Sequence, residues 1–280
     1  MKLVRHGARG AEKPGVLDGA GLVRDLSSVV DNINVSDHSL VDRIASLDLT
    51  ALPEVPAGAR LGVPVSHVGK FIGIGLNYSD HALEAGLPIP GEPVIFMKAV
   101  SCLSGPNDPI MLPPGSVKTD WEVELGIVIG RRARHVEEFD ALTHVAGYCV
   151  VNDVSEREYQ IERGGTWDKG KGCDSFGPVG PWLVTPDEIA DVQALEMWLD
   201  VNGTAMQRGS TASMIFSCAQ IVAYVSRFVT LEPGDIITTG TPPGVGMGRT
   251  PPVFLRVGDT VTLGIAGLGV QRQEVIAHAS

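Results

Sequence analysis

Short apolar runs, broken by glycine, proline and polar clusters, recur along the chain and read as strands rather than helices. Phe71-Ile72-Gly73-Ile74-Gly75-Leu76 has buried-strand character, as do residues 94–97, 122–129, 147–153 and 195–201. Asn202-Gly203 after the last of these is a hairpin signal. Residues 236–239 and 260–265 supply late strands. Before position 70, residues 2–5 and 22–26 read as short strands, with turn signals at Lys13-Pro14-Gly15 and Asp18-Gly19 between or near them. Residues 36–47 suit a short helix with Ser36 as N-cap, and 52–58 have linker composition. Residues 77–86 are polar and helical in character around His81. The longest apolar stretch, 214–229, reads as a buried helix that Ser213 caps and Pro233-Gly234-Asp235 terminates. It is shorter than a bilayer span and holds Ser217, Gln220, Ser226 and Arg227, so no membrane association is expected. The expected fold is α+β and β-rich, with a small N-terminal domain over residues 1–65 and a catalytic domain over 66–280.

Composition narrows the function. The 280 residues are 44% hydrophobic and 20% charged, enough for a large core. The 34 glycines and 19 prolines follow no repeat period, which argues against a helical bundle or a solenoid. The formal charge of −11 opposes a phosphate backbone, so no nucleic-acid partner is expected. It also means that an anionic substrate needs local cations to overcome the global field. The four cysteines stand alone without C-x-x-C spacing, which removes support for zinc ribbons and thiol redox sites and suits a reduced, cytoplasmic protein. Residues 1–9 carry charges and no apolar segment, so no secretory signal is expected.

The sharpest chemical signal is Trp121-Glu122-Val123-Glu124-Leu125-Gly126-Ile127-Val128-Ile129. Strand side chains alternate between faces, so Glu122 and Glu124 share one face while Val123, Leu125 and Ile127 share the other. Two neighbouring carboxylates in an apolar strand repel each other and lose hydration, and a cation relieves both penalties. An edge strand with a solvated glutamate face fits the same pattern. Asp153 ends the apolar run 147–153 and is either a third ligand or the N-cap of a helix through Arg157. Three oxygen ligands without a histidine or cysteine cluster point to a hard cation, Mg²⁺ or Mn²⁺, with Ca²⁺ as a substitute. Such a site keeps one net negative charge, and Arg157, Lys169 and Lys171 are the nearby cations that would let an anion approach.

On a helix, His81 and Glu84 would be neighbours at i and i+3, as a base dyad or as a surface ion pair. Gly73-Ile74-Gly75 lacks the third glycine of a dinucleotide fingerprint, because Tyr78 stands there. Residues 239–246, Thr-Gly-Thr-Pro-Pro-Gly-Val-Gly, carry no Gly-Lys-Ser/Thr, so a P-loop is excluded too. Their turn offers donors to an oxyanion, or is simply a tight strand-to-loop turn.

Taken in order, the motifs Gly-x-Asn-Tyr-x-x-His-x-x-Glu (75–84), Glu-x-Glu-Leu-Gly (122–126), Asn-Asp-Val-Ser (152–155), Lys-Gly-x-Asp-x-Phe-Gly-Pro (171–178) and Thr-Gly-Thr-Pro-x-Gly-Val-Gly (239–246) resemble the fumarylacetoacetate hydrolase superfamily. The resemblance covers roughly residues 70–270. It implies a β-rich sandwich or roll with flanking helices, usually dimeric. It also implies metal binding by Glu122, Glu124 and Asp153, a His81–Glu84 base dyad, Lys171 beside the metal, and substrate contacts from Arg157, Gln160 and Thr241. Asn77 stands near the place where the larger fumarylacetoacetate-cleaving member has a further metal carboxylate. The chain is therefore more similar to the shorter branch of acylpyruvases, oxaloacetate decarboxylases and diketo-sugar-acid hydrolases. Residues 167–172, Trp-Asp-Lys-Gly-Lys-Gly, favour the sugar-acid side of that branch. The implied activity is metal-dependent cleavage of the C–C bond of a small anionic 2,4-dioxo acid through a pyruvate enolate. Oxaloacetate decarboxylation and isomerisation of a 2-oxo acid, such as 2-hydroxyhepta-2,4-diene-1,7-dioate, are alternatives on the same site. A non-catalytic dimeric anion-binding protein is a more remote one.

Overall fold

The computed structural model describes residues 1–80 and 88–278. Its main sheet runs, from one edge, Val23–Asp25, Lys13–Leu17, Lys2–His6, Gly177–Val184, Val145–Asn152, Val123–Ile129, Ile236–Thr238, Phe71–Gly75 and Val94–Lys98. The short strand Leu103–Ser104 pairs alongside Gly177–Val184. Strands from residues 1–65 thus continue the same sheet that carries the later strands, through the antiparallel pairing of Lys2–His6 with Gly177–Val184. A second sheet runs Thr204–Ser210, Glu196–Val201, Thr260–Ile265, Gly269–Ile276 and Ile110–Met111. It packs over the middle of the first, against Val123–Ile129, Val145–Asn152 and Gly177–Val184. The protein is strand-rich α+β, with short helices at the periphery. Among the described residues, no helix is long and apolar enough to cross a membrane.

This sandwich explains why every residue of Val123–Ile129 is buried. The strand lies between Val145–Asn152 and Ile236–Thr238, and the second sheet covers it. A solvated edge strand is therefore ruled out for Glu124. Gly126 is glycine because a Cβ there would come within 2.7 Å of Val151 Cγ2 and 2.8 Å of Cys149 Sγ. Buried amide side chains stitch the two layers where apolar contact alone would leave backbone groups unpaired. Gln271 donates to the Val150 and Gly180 carbonyls at 2.8 and 2.9 Å. Gln207 accepts from the Val123 amide at 2.9 Å and donates to Thr241 Oγ1 at 2.8 Å.

Three local expectations are corrected. Lys13-Pro14-Gly15 is not a turn but part of the strand Lys13–Leu17. Pro14 lacks a donor, yet its carbonyl accepts from Leu26 N at 2.9 Å and so still serves the ladder. The first helix covers Leu40–Ala45 rather than starting at Ser36. Ser36 is held instead in a turn by Asn34 Oδ1, which accepts from its amide and its hydroxyl. The later apolar helix is Cys218–Val225, capped by Ser217 in a reciprocal capping box with Gln220, not by Ser213. Its start is delayed because Ile215 N and Phe216 N are bound to the Asn77 carbonyl and side chain, which keeps residues 214–217 out of the helix. The Asn202-Gly203 hairpin is present, with φ of 52° and 76° at its two turn residues.

Candidate active site

Glu122, Glu124 and Asp153 meet, each offering an oxygen within 4.8 Å of the others, and all three are buried. Strand pairing brings them together. Asn152 faces Val123 in the antiparallel ladder, and the Asp153 amide donates to the Glu122 carbonyl at 2.9 Å, so the end of one strand lies beside the start of the other. Asp153 is not a helix cap: its two oxygens accept from Lys98 Nζ and Lys171 Nζ, each at 2.6 Å. Glu124 Oε2 accepts from Thr238 Oγ1 at 2.5 Å and from Gly240 N at 2.7 Å. Burial, reinforced by the charges of Asp153 and Glu122, holds its carboxyl well above the usual carboxylate range.

Of the three cations considered from the sequence, two are in the cluster. Lys171 Nζ lies 2.7 Å from Glu122 Oε2 as well as bonding Asp153. Burial pulls its pKa down, but Asp153 and Glu122 outweigh that, so the group is held as an ammonium and supplies charge rather than a base. Arg157 Nη2 lies 2.6 Å from Glu122 Oε1, its Nε donates to Asp120 Oδ2 at 2.8 Å, and its Nη1 donates to Gln160 Oε1 at 2.9 Å. Lys169 is exposed and outside the cluster. Gly170 makes the assembly of Lys171 with Arg157 and Gln160 possible. A Cβ there would stand 2.5 Å from Gln160 N and 2.6 Å from the Glu156 carbonyl.

Two functional groups were absent from the sequence reading. Lys98, wholly buried, bonds Asp153 and also the carbonyl of Lys171. Asp120, also wholly buried, accepts from Arg157 and from Gly246 N at 2.6 Å and Met247 N at 3.0 Å, so it ties the cation to the loop beyond the Thr-Gly-Thr-Pro turn. Asn77 is fully engaged in structure. It donates to the Phe216 and Thr239 carbonyls at 3.1 and 2.8 Å and accepts from Phe216 N at 2.8 Å. His81 and Glu84 lie outside the described residues.

Glu122, Glu124, Arg157, Lys171, Gln160 and Thr241 all line one cavity of about 440 Å³. Thr241 is anchored there by donating to the Val123 carbonyl at 2.9 Å while accepting from Gln207. The Gly73-Ile74-Gly75 pattern also finds its reason at this cavity. A Cβ at Gly73 would fall 2.1 Å from Phe96 Cζ, and one at Gly75 would fall 2.3 Å from Trp167 Cζ3. The glycines make room for an aromatic wall, with the Phe96 and Trp167 rings 5.5 Å apart and Lys171 Nζ 5.1 Å from the Phe96 centroid. A hard cation fits the all-oxygen donor set, and three buried carboxylates crowded this closely favour one electrostatically.

The family model for the fumarylacetoacetate hydrolase C-terminal region matches residues 70–276. The chain belongs to the fumarylacetoacetate hydrolase family. Members of this family are enzymes, hydrolases and isomerases among them. A Burkholderia cenocepacia (strain HI2424) relative is 61% identical over 98% of both chains; its name assigns it provisionally to the hydrolases and states no substrate. Solved structures of the family are close in fold. Fumarylacetoacetate hydrolase from Exiguobacterium antarcticum is 36% identical with a TM-score of 0.88, covering 99% of this chain and 100% of that one. The 2-hydroxyhepta-2,4-diene-1,7-dioate isomerase of Mycobacterium marinum is 33% identical, with a TM-score of 0.79 over 100% of both chains. Maleylpyruvate hydrolase from Sphingobium sp. SYK-6, solved with manganese(II) and pyruvate, is 30% identical with a TM-score of 0.81 over 100% of both.

Proposed function

We propose that this member is a divalent-metal-dependent hydrolase that cleaves the C–C bond of a small 2,4-dioxo acid, with Glu122, Glu124 and Asp153 holding Mg²⁺ or Mn²⁺. The observation that carries the reading is the buried carboxylate trio, of which Glu122 and Glu124 line one cavity together with Arg157 and Lys171. The manganese and pyruvate of the similar maleylpyruvate hydrolase structure support it. A dication bound there supplies Lewis acidity toward the oxygens of a 2-oxo carboxylate.

The protein's own groups supply the rest. Once a dication shares the charge of the trio, Arg157 and Lys171 are freed to draw the carboxylate end of the substrate into the cavity, and Gln160 and Thr241 orient it. His81, oriented by Glu84, takes a proton from the water that attacks the C4 carbonyl. The C3–C4 bond then breaks, C4 leaves as a carboxylic acid, and the electron pair departs on C3 as pyruvate enolate. Fixed positive charge at Arg157 and Lys171 stabilises that developing anion, and a proton returned to C3 completes pyruvate. The chain acts in this reading as a cytoplasmic homodimer.

The test is pyruvate release from a panel of acylpyruvates and diketo sugar acids, with Mg²⁺ or Mn²⁺ and then with excess chelator. Pyruvate formed with metal and lost on chelation is expected, and chelation without effect would overturn the reading. His81→Ala should lower turnover by roughly 10²–10⁴. The likeness to the isomerase favours a second reading on the same residues, proton relocation in an unsaturated 2-oxo acid. A product of unchanged mass would identify it.

A further inference from the structure

Two glutamines occupy places in the sandwich where the pattern calls for apolar side chains. In the strand Gly269–Ile276 alternate residues face inward, and these include Gln271, Gln273 and Val275. On the neighbouring strand Thr260–Ile265, the residues directly opposite the two glutamines are Leu263 and Val261, both buried in the same layer. Both glutamines are wholly buried. A buried amide costs free energy unless its groups find partners, a demand that a leucine would not make.

The fold accounts for Gln271. The pairing of Val145–Asn152 with Gly177–Val184 shifts register between Tyr148 and Val150, and Gln271 donates to the Val150 and Gly180 carbonyls beside that irregularity. Gln273 carries the network onward. Its Nε2 donates to Gln271 Oε1 at 2.9 Å and to the Pro106 carbonyl, and its Oε1 accepts from Asn152 Nδ2 at 3.1 Å.

Asn152, also wholly buried, immediately precedes Asp153. The regular ladder between the two ligand-bearing strands starts at the pair Asn152 and Val123, so the Glu122 amide lies one residue beyond it. Asn152 Oδ1 accepts from that amide at 3.3 Å, while the Glu122 carbonyl accepts from Asp153 N at 2.9 Å. The Glu122 peptide is thus held at both ends by the segment that carries Asp153. Asn152 can do this in one orientation only, because the reversed amide would point donors at the Glu122 N–H. By accepting from Nδ2, Gln273 selects the orientation that leaves Oδ1 for Glu122.

We infer that Gln273 is a positioning residue for the metal-binding edge: from the opposite sheet, and through Asn152, it holds the Glu122 peptide so that Glu122 and Asp153 converge on one cation. This rests on the reading above that the trio holds a dication. Gln273 does not line the cavity, and none of its hydrogen bonds reaches a carboxylate, so its influence passes through Asn152.

Calorimetric titration with Mn²⁺ alone tests this, and urea unfolding with chelator present reports stability separately. Gln273→Met keeps much of the volume and removes the amide. It should weaken Mn²⁺ binding about tenfold or more, the usual worth of a group that orients a metal ligand from behind. Asn152→Ala should weaken binding too, and adding Gln273→Met to it should weaken binding no further, because the path is already cut. If Gln273→Met does not fold, Gln273→Asn, whose amide is a methylene too short to reach Asn152, carries the same expectations. Wild-type Mn²⁺ affinity in the Gln273 variant, whatever its stability, overturns the inference and leaves the metal reading intact. So does an equal weakening by the Gln273 substitution with and without Asn152→Ala. No Mn²⁺ binding by the wild type overturns the metal reading itself, and the inference with it.

Discussion

Lys98→Met is the substitution that most directly probes how the centre is held together. Methionine keeps much of the volume and removes the charge and its donors. In the wild type, Lys98 Nζ sits 2.6 Å from Asp153 Oδ1, with both side chains wholly buried, and it also satisfies the Lys171 carbonyl. Its loss leaves Asp153 with Lys171 alone and strands a buried backbone acceptor. Removing one partner of a buried ion pair costs about 3–5 kcal/mol, because the remaining charge stays desolvated. That is a large part of the roughly 5–15 kcal/mol that holds a typical domain folded. The assay is urea unfolding followed by tryptophan fluorescence, with chelator present so that bound metal does not contribute. Asp153→Asn in the same background tests the cause, because a neutral side chain no longer needs the lysine. The double variant should therefore lose clearly less stability than the two single losses added together. Stability of Lys98→Met within about 0.5 kcal/mol of wild type, the range of an ordinary surface substitution, would refute the reasoning, as would simple additivity.

Three further outcomes follow from the same structure. Asp120→Asn should loosen both Arg157 and residues 246–247 and lower kcat/KM about 10–100-fold, the worth of a charged hydrogen bond, with metal affinity by titration unchanged. Gly75→Ala places a methyl group 2.3 Å from Trp167 and should cost about 1–3 kcal/mol in urea unfolding, with an altered tryptophan spectrum; an unchanged spectrum would show that the wall is not as packed as described. Burial lowers the His6 pKa, with Asp25 offsetting part of the effect. Below pH 6.5 the unfolded chain therefore takes up a proton that folded His6 refuses, and stability falls as pH drops toward the folded value. His6→Asn should flatten that portion of the stability–pH curve relative to wild type.

What the sequence revealed depended on whether the relevant order was local. The period of two placed Glu122 and Glu124 on one face, and the end of an apolar run marked Asp153; both patterns span only a few residues. Lys98 ends the run Val-Ile-Phe-Met-Lys and reads locally as a solvated strand terminus. Alternation put it on the face of Phe96, but nothing nearby in sequence showed that this face is the cavity. Asp120 was hidden for a stronger reason: its amide donors lie 126 and 127 positions later in the chain. The glycines at 73 and 75 lack the spacing of a dinucleotide fingerprint, but their purpose depends on Phe96 and Trp167, which the fold alone brings close. Lys169 was legible as a nearby charge, yet the helix Asp168–Lys171 brings Lys171 into the cluster and leaves Lys169 in solvent.

The charges of the centre explain how an acidic protein can accept an acid. Asp120, Glu122, Glu124 and Asp153 face Lys98, Arg157 and Lys171, so four carboxylates outnumber three cations by one. In that state burial, reinforced by the charges of Asp153 and Glu122, raises the pKa of Glu124, and a retained proton removes the excess. The cations are occupied by these carboxylates and have little attraction left for a further anion. A dication reverses the balance to one positive charge, which suits a single carboxylate head. The global charge of −11 does not undo this, since surface charge is screened over about 8 Å at physiological salt while the buried centre is screened much less. Metal removal should therefore abolish the binding of a 2-oxo acid, and not merely its turnover, even though Arg157 and Lys171 stay in place.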